Sequence, residues 1–150
     1  MKKLLIALTC LSLASCGMLW VYRGLNDIPM MTWKQTDIQT FDANIEASGN
    51  YDIYILFRHL QGFPYPEVAI NFNLDGPDLG LSETYVIPVI GADRKYLGEA
   101  GGDIWDIEYL AIPNQKMEAG DYKIKLAHIM NMDELQLVME VGIMIKKPTE

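Results

Sequence analysis

The chain has 150 residues, half of them apolar and about a fifth charged, a composition that fits one globular domain with its own core. Its 12 Lys and Arg face 20 Asp and Glu, a net charge of −8 that disfavours nucleic-acid binding and gives no general attraction to anionic lipid. With two cysteines and two histidines, thiol chemistry and metal ligation have little to draw on.

The first elements are an address. Met1-Lys2-Lys3 is followed by an apolar run, Leu4–Ala14, that is too short to span a bilayer, and then by Leu13-Ala14-Ser15-Cys16. A basic start, a short apolar stretch and small residues ahead of a cysteine are the pattern of a bacterial lipoprotein signal. The competing reading is an ordinary signal peptide or short anchor in which Cys16 is incidental. The lipoprotein reading predicts that residues 1–15 are removed, that the Cys16 thiol receives a diacylglycerol, and that the new amine is acylated, for instance by palmitate. Several acyl chains anchor stably where one is marginal. Lys2 and Lys3 leave with the signal, so ten cations then face twenty acids, a net charge of −10. Cys10 leaves too. With Cys16 lipidated, the folded domain keeps no thiol for a disulfide, a zinc site or a nucleophile.

Residues 16–32 read as the lipidated cysteine and a short tether, since Gly17 to Met31 shows no periodicity. From Trp33 onward, over 33–150, the apolar period is two. Weak strands fit Lys34–Phe41 and Glu83–Ile90. In Tyr51–Leu60, the residues Tyr51, Ile53, Ile55 and Phe57 share one face, and Asp52, Tyr54, Leu56 and Arg58 share the other. Alternation recurs in Val68–Leu74, Trp105–Tyr109, Tyr122–Leu126 and Leu137–Ile145. Ser48-Gly49-Asn50, Gly62-Phe63-Pro64, Asp75–Asp78, Gly101-Gly102-Asp103, Pro113-Asn114 and Gly120-Asp121 supply the turns. Asn131–Leu135 reads as one turn or a tight connection. The expectation is an all-β, antiparallel β-sandwich of about seven to eight strands. Tyr51–Leu60 and Leu137–Ile145 are apolar on both faces, which predicts central strands partly covered on their second face, or an outer face that docks a partner.

Catalytic and ligand-binding patterns are sparse. No HExxH, GxSxG, P-loop or GxGxxG occurs, and Gly98 to Gly102 opens no helix that would cradle a phosphate. His59 and His128 fall inside strands, where a lone histidine is more often a packed polar group than a ligand. Asp75 and Asp78, with Asp103, Asp106 and Glu108, lie near turns that could gather around calcium. Trp105 and Tyr109 would serve a sugar platform only if exposed, yet they share the apolar register. No metal, cofactor or catalytic residue is expected, and the chain reads as a non-enzyme that acts by binding. A lipid-anchored carbohydrate- or calcium-binding module is the alternative.

One further signal is the order in which features recur along the chain. After Cys16 come Val21-Tyr22, Ile28-Pro29, Trp33 and Phe41, then Tyr51-Asp-Ile-Tyr54-Ile-Leu-Phe-Arg58-His59 leading to Tyr65-Pro66. Tyr96-Leu-Gly98 through Ile104 and Ile107, Gly120-Asp-Tyr122, Met130, Leu135 and Val141-Gly142-Ile143 continue it. This order resembles the gliding-motility lipoprotein family GldH of the Bacteroidota. The chain departs from the family pattern at Pro66-Glu67 and at Asn131, the latter standing where an arginine is expected, so it looks like a diverged member. The resemblance implies a non-catalytic accessory lipoprotein of the gliding and type IX secretion machinery, working with other envelope proteins. It carries over no catalytic residue. Arg58 and Tyr65 are the matched positions to mutate first as candidates for partner contact, with a sheet-face salt bridge for Arg58 and a turn residue packed on the sheet edge for Tyr65 as the favoured readings. Gly17-Met18-Leu19-Trp20 lacks the acidic residues that accompany surface export in that phylum, so the expected location is the outer membrane, facing the periplasm.

Overall fold

The structure, a computed structural model, describes residues 20–148; the signal segment and Cys16 lie outside the described residues. Eleven strands follow in chain order: β1 (Tyr22–Asp27), β2 (Thr32–Lys34), β3 (Gln39–Ile45), β4 (Gly49–Leu60), β5 (Glu67–Asp75), β6 (Gly80–Pro88), β7 (Glu99–Gly101), β8 (Ile104–Met117), β9 (Gly120–His128), β10 (Glu134–Gln136) and β11 (Val138–Lys146). They form a five-stranded sheet in the order β1-β11-β4-β8-β7, a four-stranded sheet in the order β3-β9-β5-β6, and a ribbon of β2 with β10. All pairings are antiparallel. The fold is the expected all-β sandwich, with more strands than the seven to eight foreseen.

The period-two pattern builds the core directly. Ile53, Ile55 and Phe57 of β4 and Val141, Ile143 and Ile145 of β11 are buried on the inner face of the larger sheet. Phe41 and Ala43 of β3, Val68, Ile70, Phe72 and Leu74 of β5, and Tyr122, Ile124 and Leu126 of β9 are buried in the same core cluster. Central placement of β4 and β11 explains why both read as apolar on two faces. On the outer face Leu56 and Met144 are also buried, and Gly142 lies directly opposite Leu56. A β-carbon on Gly142 would collide with the Gly24 carbonyl and the Leu25 side chain. The bare glycine therefore lets Leu25 of β1 lie against the outer face.

Two turns at one pole share a device. Tyr51 donates its hydroxyl to the Ala47 carbonyl at 2.6 Å, and Tyr122 donates to the Glu118 carbonyl at 2.9 Å, each four residues upstream. These are tyrosine corners, in which a ring packed in the core pins the turn before its own strand. Each stands where the chain crosses between sheets, β3 to β4 and β8 to β9, and Gly49-Asn50-Tyr51 and Gly120-Asp121-Tyr122 are the matching segments. Ser48 Oγ accepts the Ala119 N–H at 2.9 Å and ties the two corners together. Tyr122 also donates to Asp78 Oδ1 at 2.9 Å; burial first, then this carboxylate, pushes its phenol up to about 12.

Four local readings change. Residues 22–27, expected within the tether, form β1, the edge strand paired along β11 from Tyr22–Ile145 to Asp27–Glu140. Tyr22, Gly24 and Asn26 occupy its inner face, where Tyr22 packs on the core and Asn26 donates to Gln39 Oε1 at 3.1 Å and helps close that edge of the sandwich. Pro113-Asn114 is a bulge inside the long strand β8 rather than a turn. Asn114 takes a positive φ of 53°, which asparagine tolerates, and its N–H is accepted by Asp52 Oδ1 at 2.8 Å. The weak strand at 34–41 is divided between β2 and β3. Part of Asn131–Leu135 enters β10, where Leu135 pairs with Trp33 and is buried.

Candidate functional site

The site is read on the outer face of the five-stranded sheet. Register places one charged residue from each strand in a single row, Asp27, Glu140, Arg58, Asp106 and Glu99 in the order β1 to β7. Arg58 is the sole cation of the row and sits at its centre. Its Nε and Nη2 donate to Asp106 Oδ1 and Oδ2 at 2.6 and 3.0 Å, a bidentate pair. Nη1 lies 2.7 Å from Glu140 Oε2, an ion pair off the hydrogen-bonding direction, since that oxygen has no aligned donor. The hydrogen bond to Asp106 leads the effects that hold the guanidinium's pKa above its ordinary value. All three side chains remain partly exposed, so solvent screens the pairs and they contribute little to stability one by one.

The next row carries Leu25, Gly142, Leu56 and Glu108. Together these rows line a groove of about 430 Å³ whose walls include Arg23, Leu25, Leu56, Arg58, Glu99, Asp106 and Glu108. Arg58 is satisfied by its two carboxylates, while Glu99 and Glu108 make no ion pair among the described residues. The groove therefore offers an apolar floor and surplus negative charge. It suits a cationic or basic segment and repels an anion.

Tyr65 is elsewhere. It follows β4 in the connection to β5, half-buried, with its ring 5.5 Å from Phe63 in edge contact. No contact joins it to Arg58. The Phe63 ring meets Phe57 and His59, His59 meets Tyr96, and Tyr96 meets Trp105, all at 5.0–5.6 Å between centroids. Tyr96 donates to the Phe63 carbonyl at 2.8 Å and accepts the Gly62 N–H at 2.9 Å, fastening the β6–β7 connection onto this pole. Arg58 is thus a sheet-face ion pair and Tyr65 a packed ring beside the aromatic cluster.

The histidines are structural. His59 donates from Nδ1 to the Leu60 carbonyl at 3.0 Å and His128 from Nε2 to the Trp33 carbonyl at 3.0 Å, which fixes each tautomer and leaves the other ring nitrogen buried without a partner. Burial pushes both imidazoles below their ordinary value, so both are neutral near pH 7. Among the described residues no three His, Cys, Asp or Glu side chains converge as a metal set; Asp78 accepts from the Tyr122 hydroxyl, and Asp106 accepts from Arg58 on the outer sheet face. Trp105 and Tyr109 face the sandwich interior and are half-buried, packed on Tyr96 and Tyr85, so they offer no open platform for a sugar.

A second apolar area lies at the pole opposite the tyrosine corners. Met30 is 91% exposed, with Met31, Ile38 and Ile129 also exposed. Met30 and Met31 both adopt φ of 53°, an uncommon pair of left-handed residues that turns the chain from β1 into β2. Pro29, which enters this turn, is its one signal in the sequence.

A family model described as GldH lipoprotein matches residues 20–145, nearly all of the described chain. The chain belongs to the GldH lipoprotein family. No curated protein matches it. Among solved structures it is similar to the structure of Eiger TNF from S. frugiperda, at 10% identity and a TM-score of 0.35, over 73% of this chain and 66% of that one. The GldH match spans both sheets of the sandwich, including β1 and β11, so Arg58, Tyr65 and the groove all fall within the family's matched region.

Proposed function

We propose that this GldH family chain is a non-catalytic accessory component of the gliding-motility and type IX secretion machinery, held by acylated Cys16 at the outer membrane and facing the periplasm. The observation that carries the reading is the family match over residues 20–145. Two features support a binding role. The outer face of the five-stranded sheet is a long, ordered surface with a groove, and its acidic row favours a partner segment rich in Lys or Arg. Arg58 serves this surface by holding Asp106 and Glu140 in place.

The test is genetic and biochemical. Deleting the gene is expected to impair colony spreading and secretion, and the lipidated protein is expected to co-purify with other envelope proteins. Glu99→Lys with Glu108→Lys reverses two exposed charges in no ion pair, so it is expected to reduce that co-purification at least several-fold with the melting temperature unchanged. Normal spreading, secretion and partner recovery in the deletion strain would contradict the reading. Unchanged recovery with the double variant would move the contact away from the groove.

A further inference from the structure

The sheet starts very close to the anchor. Val21 already donates its N–H to the Ile145 carbonyl at 2.8 Å, and Tyr22 pairs with Ile145. From Cys16 to Trp20 there are four residue steps, which reach at most about 14 Å when fully extended. An acyl anchor at Cys16 would therefore hold the beginning of β1 within about 14 Å of it, roughly twice the depth of one headgroup region. The part of the domain brought nearest is the corner where β1 begins and β11 ends.

That corner has the chemistry of a membrane interface. Trp20 and Val21 are 37% and 43% exposed. The Arg23 guanidinium lies 5.7 Å from the centroid of the Trp20 ring, and the Lys146 ammonium lies 4.3 Å from that of Tyr54. Lys147 follows, exposed. An indole with an apolar neighbour suits the headgroup boundary, and long cationic side chains reach phosphates from it. The same pole also carries Glu46, Asp78, Glu118 and Asp121 near its turns, so anionic lipid gives no net pull on the whole pole. Confined by the anchor, weak local contacts suffice, because the surface is present at high effective concentration.

We propose that the folded domain rests directly on the phospholipid bilayer that holds its acyl chains, on the corner of Trp20, Val21, Arg23, Lys146 and Lys147. This rests on the reading of Cys16 as acylated. Trp20 and Val21 enter the headgroup layer, and the three cations lie level with the phosphates. The anchor supplies the affinity and the corner sets the orientation.

The acylated protein, purified from its envelope, is reconstituted into phosphatidylcholine vesicles with and without brominated acyl chains, and its tryptophan emission is compared. Quenching with a blue shift is expected in the intact protein, and its loss is expected in Trp20→Phe. Trp33 is fully buried, and it and Trp105 lie toward the opposite pole, so neither supplies that signal. Mass analysis of the N-terminal peptide reports acylation separately. An acylated protein with equal emission in both vesicles, or quenching that persists in Trp20→Phe, overturns the proposal while leaving Cys16 acylation standing. A mature chain without acyl groups at Cys16 removes both.

Discussion

At the residue scale, the strongest constraints are hydroxyls that hold turns. Tyr122 donates to both Asp78 and the Glu118 carbonyl, whereas Tyr51 donates only to the Ala47 carbonyl. Tyr122→Phe removes a hydroxyl shared between two acceptors, one of them an exposed carboxylate, and is expected to cost about 1–2 kcal/mol; Tyr51→Phe removes one with a single acceptor and is expected to cost about 1 kcal/mol. Urea denaturation of the purified protein measures both, and an equal or reversed cost would show that Asp78 adds nothing to the corner. Gly-x-Tyr was visible in the sequence at both places, but the acceptors were not. A carbonyl four residues upstream has no sequence identity, and Asp78 comes from the β5–β6 turn, 44 positions away. Arg58 shows the same limit. Its outward position followed from alternation in β4, but its partners came from the register of β8 and β11.

At the element scale, period two marks strands that bury one face, and it found most of β4, β5, β9 and β11. It missed β1 because the inner positions Gly24 and Asn26 serve close approach and a polar edge contact, while Val21 and Leu25 point outward. It shortened β8 because Pro113-Asn114 has the composition of a turn, and only the distant Asp52 carboxylate makes it a bulge. Gly142 lies within a run that the sequence identified, yet its reason lies in β1. Replacing it with valine would force β1 away from β11 and lift Leu25 from the outer face. Gly142→Val is expected to lower stability by about 1–3 kcal/mol, as overpacking does, and to raise amide exchange in β1 and the central part of β11 first. Exchange that rises equally in the four-stranded sheet would argue against a local clash.

At the scale of the whole molecule, two buried neutral histidines make stability depend on pH. Burial depresses both imidazole pKa values in the folded state, so the unfolded chain takes up protons first as pH falls below about 6.5. Their stabilising effect is complete above that value and is lost as pH falls toward the depressed folded values. The urea midpoint is therefore expected to be flat from pH 8 to 7 and to drop between pH 6.5 and 5. Replacing His128 with asparagine is expected to lessen the drop, and an unchanged slope would assign it to carboxylates instead. The molecule is also polar in the geometric sense. Placing the β1 corner at the bilayer turns Met30, Ile38 and Ile129 away from it, toward whatever occupies the space beyond.

The pairing of β1 has a consequence in time. Among the described residues it hydrogen-bonds along β11 alone, so the first described strand finds its ladder only in the last one. Bringing them together closes a loop of nearly the whole domain, the slowest kind of contact to form. During synthesis β1 emerges first and must wait, unpaired, until β11 follows. Completion of the five-stranded sheet thus waits for β11, and a protein truncated before it would leave β1 without its ladder.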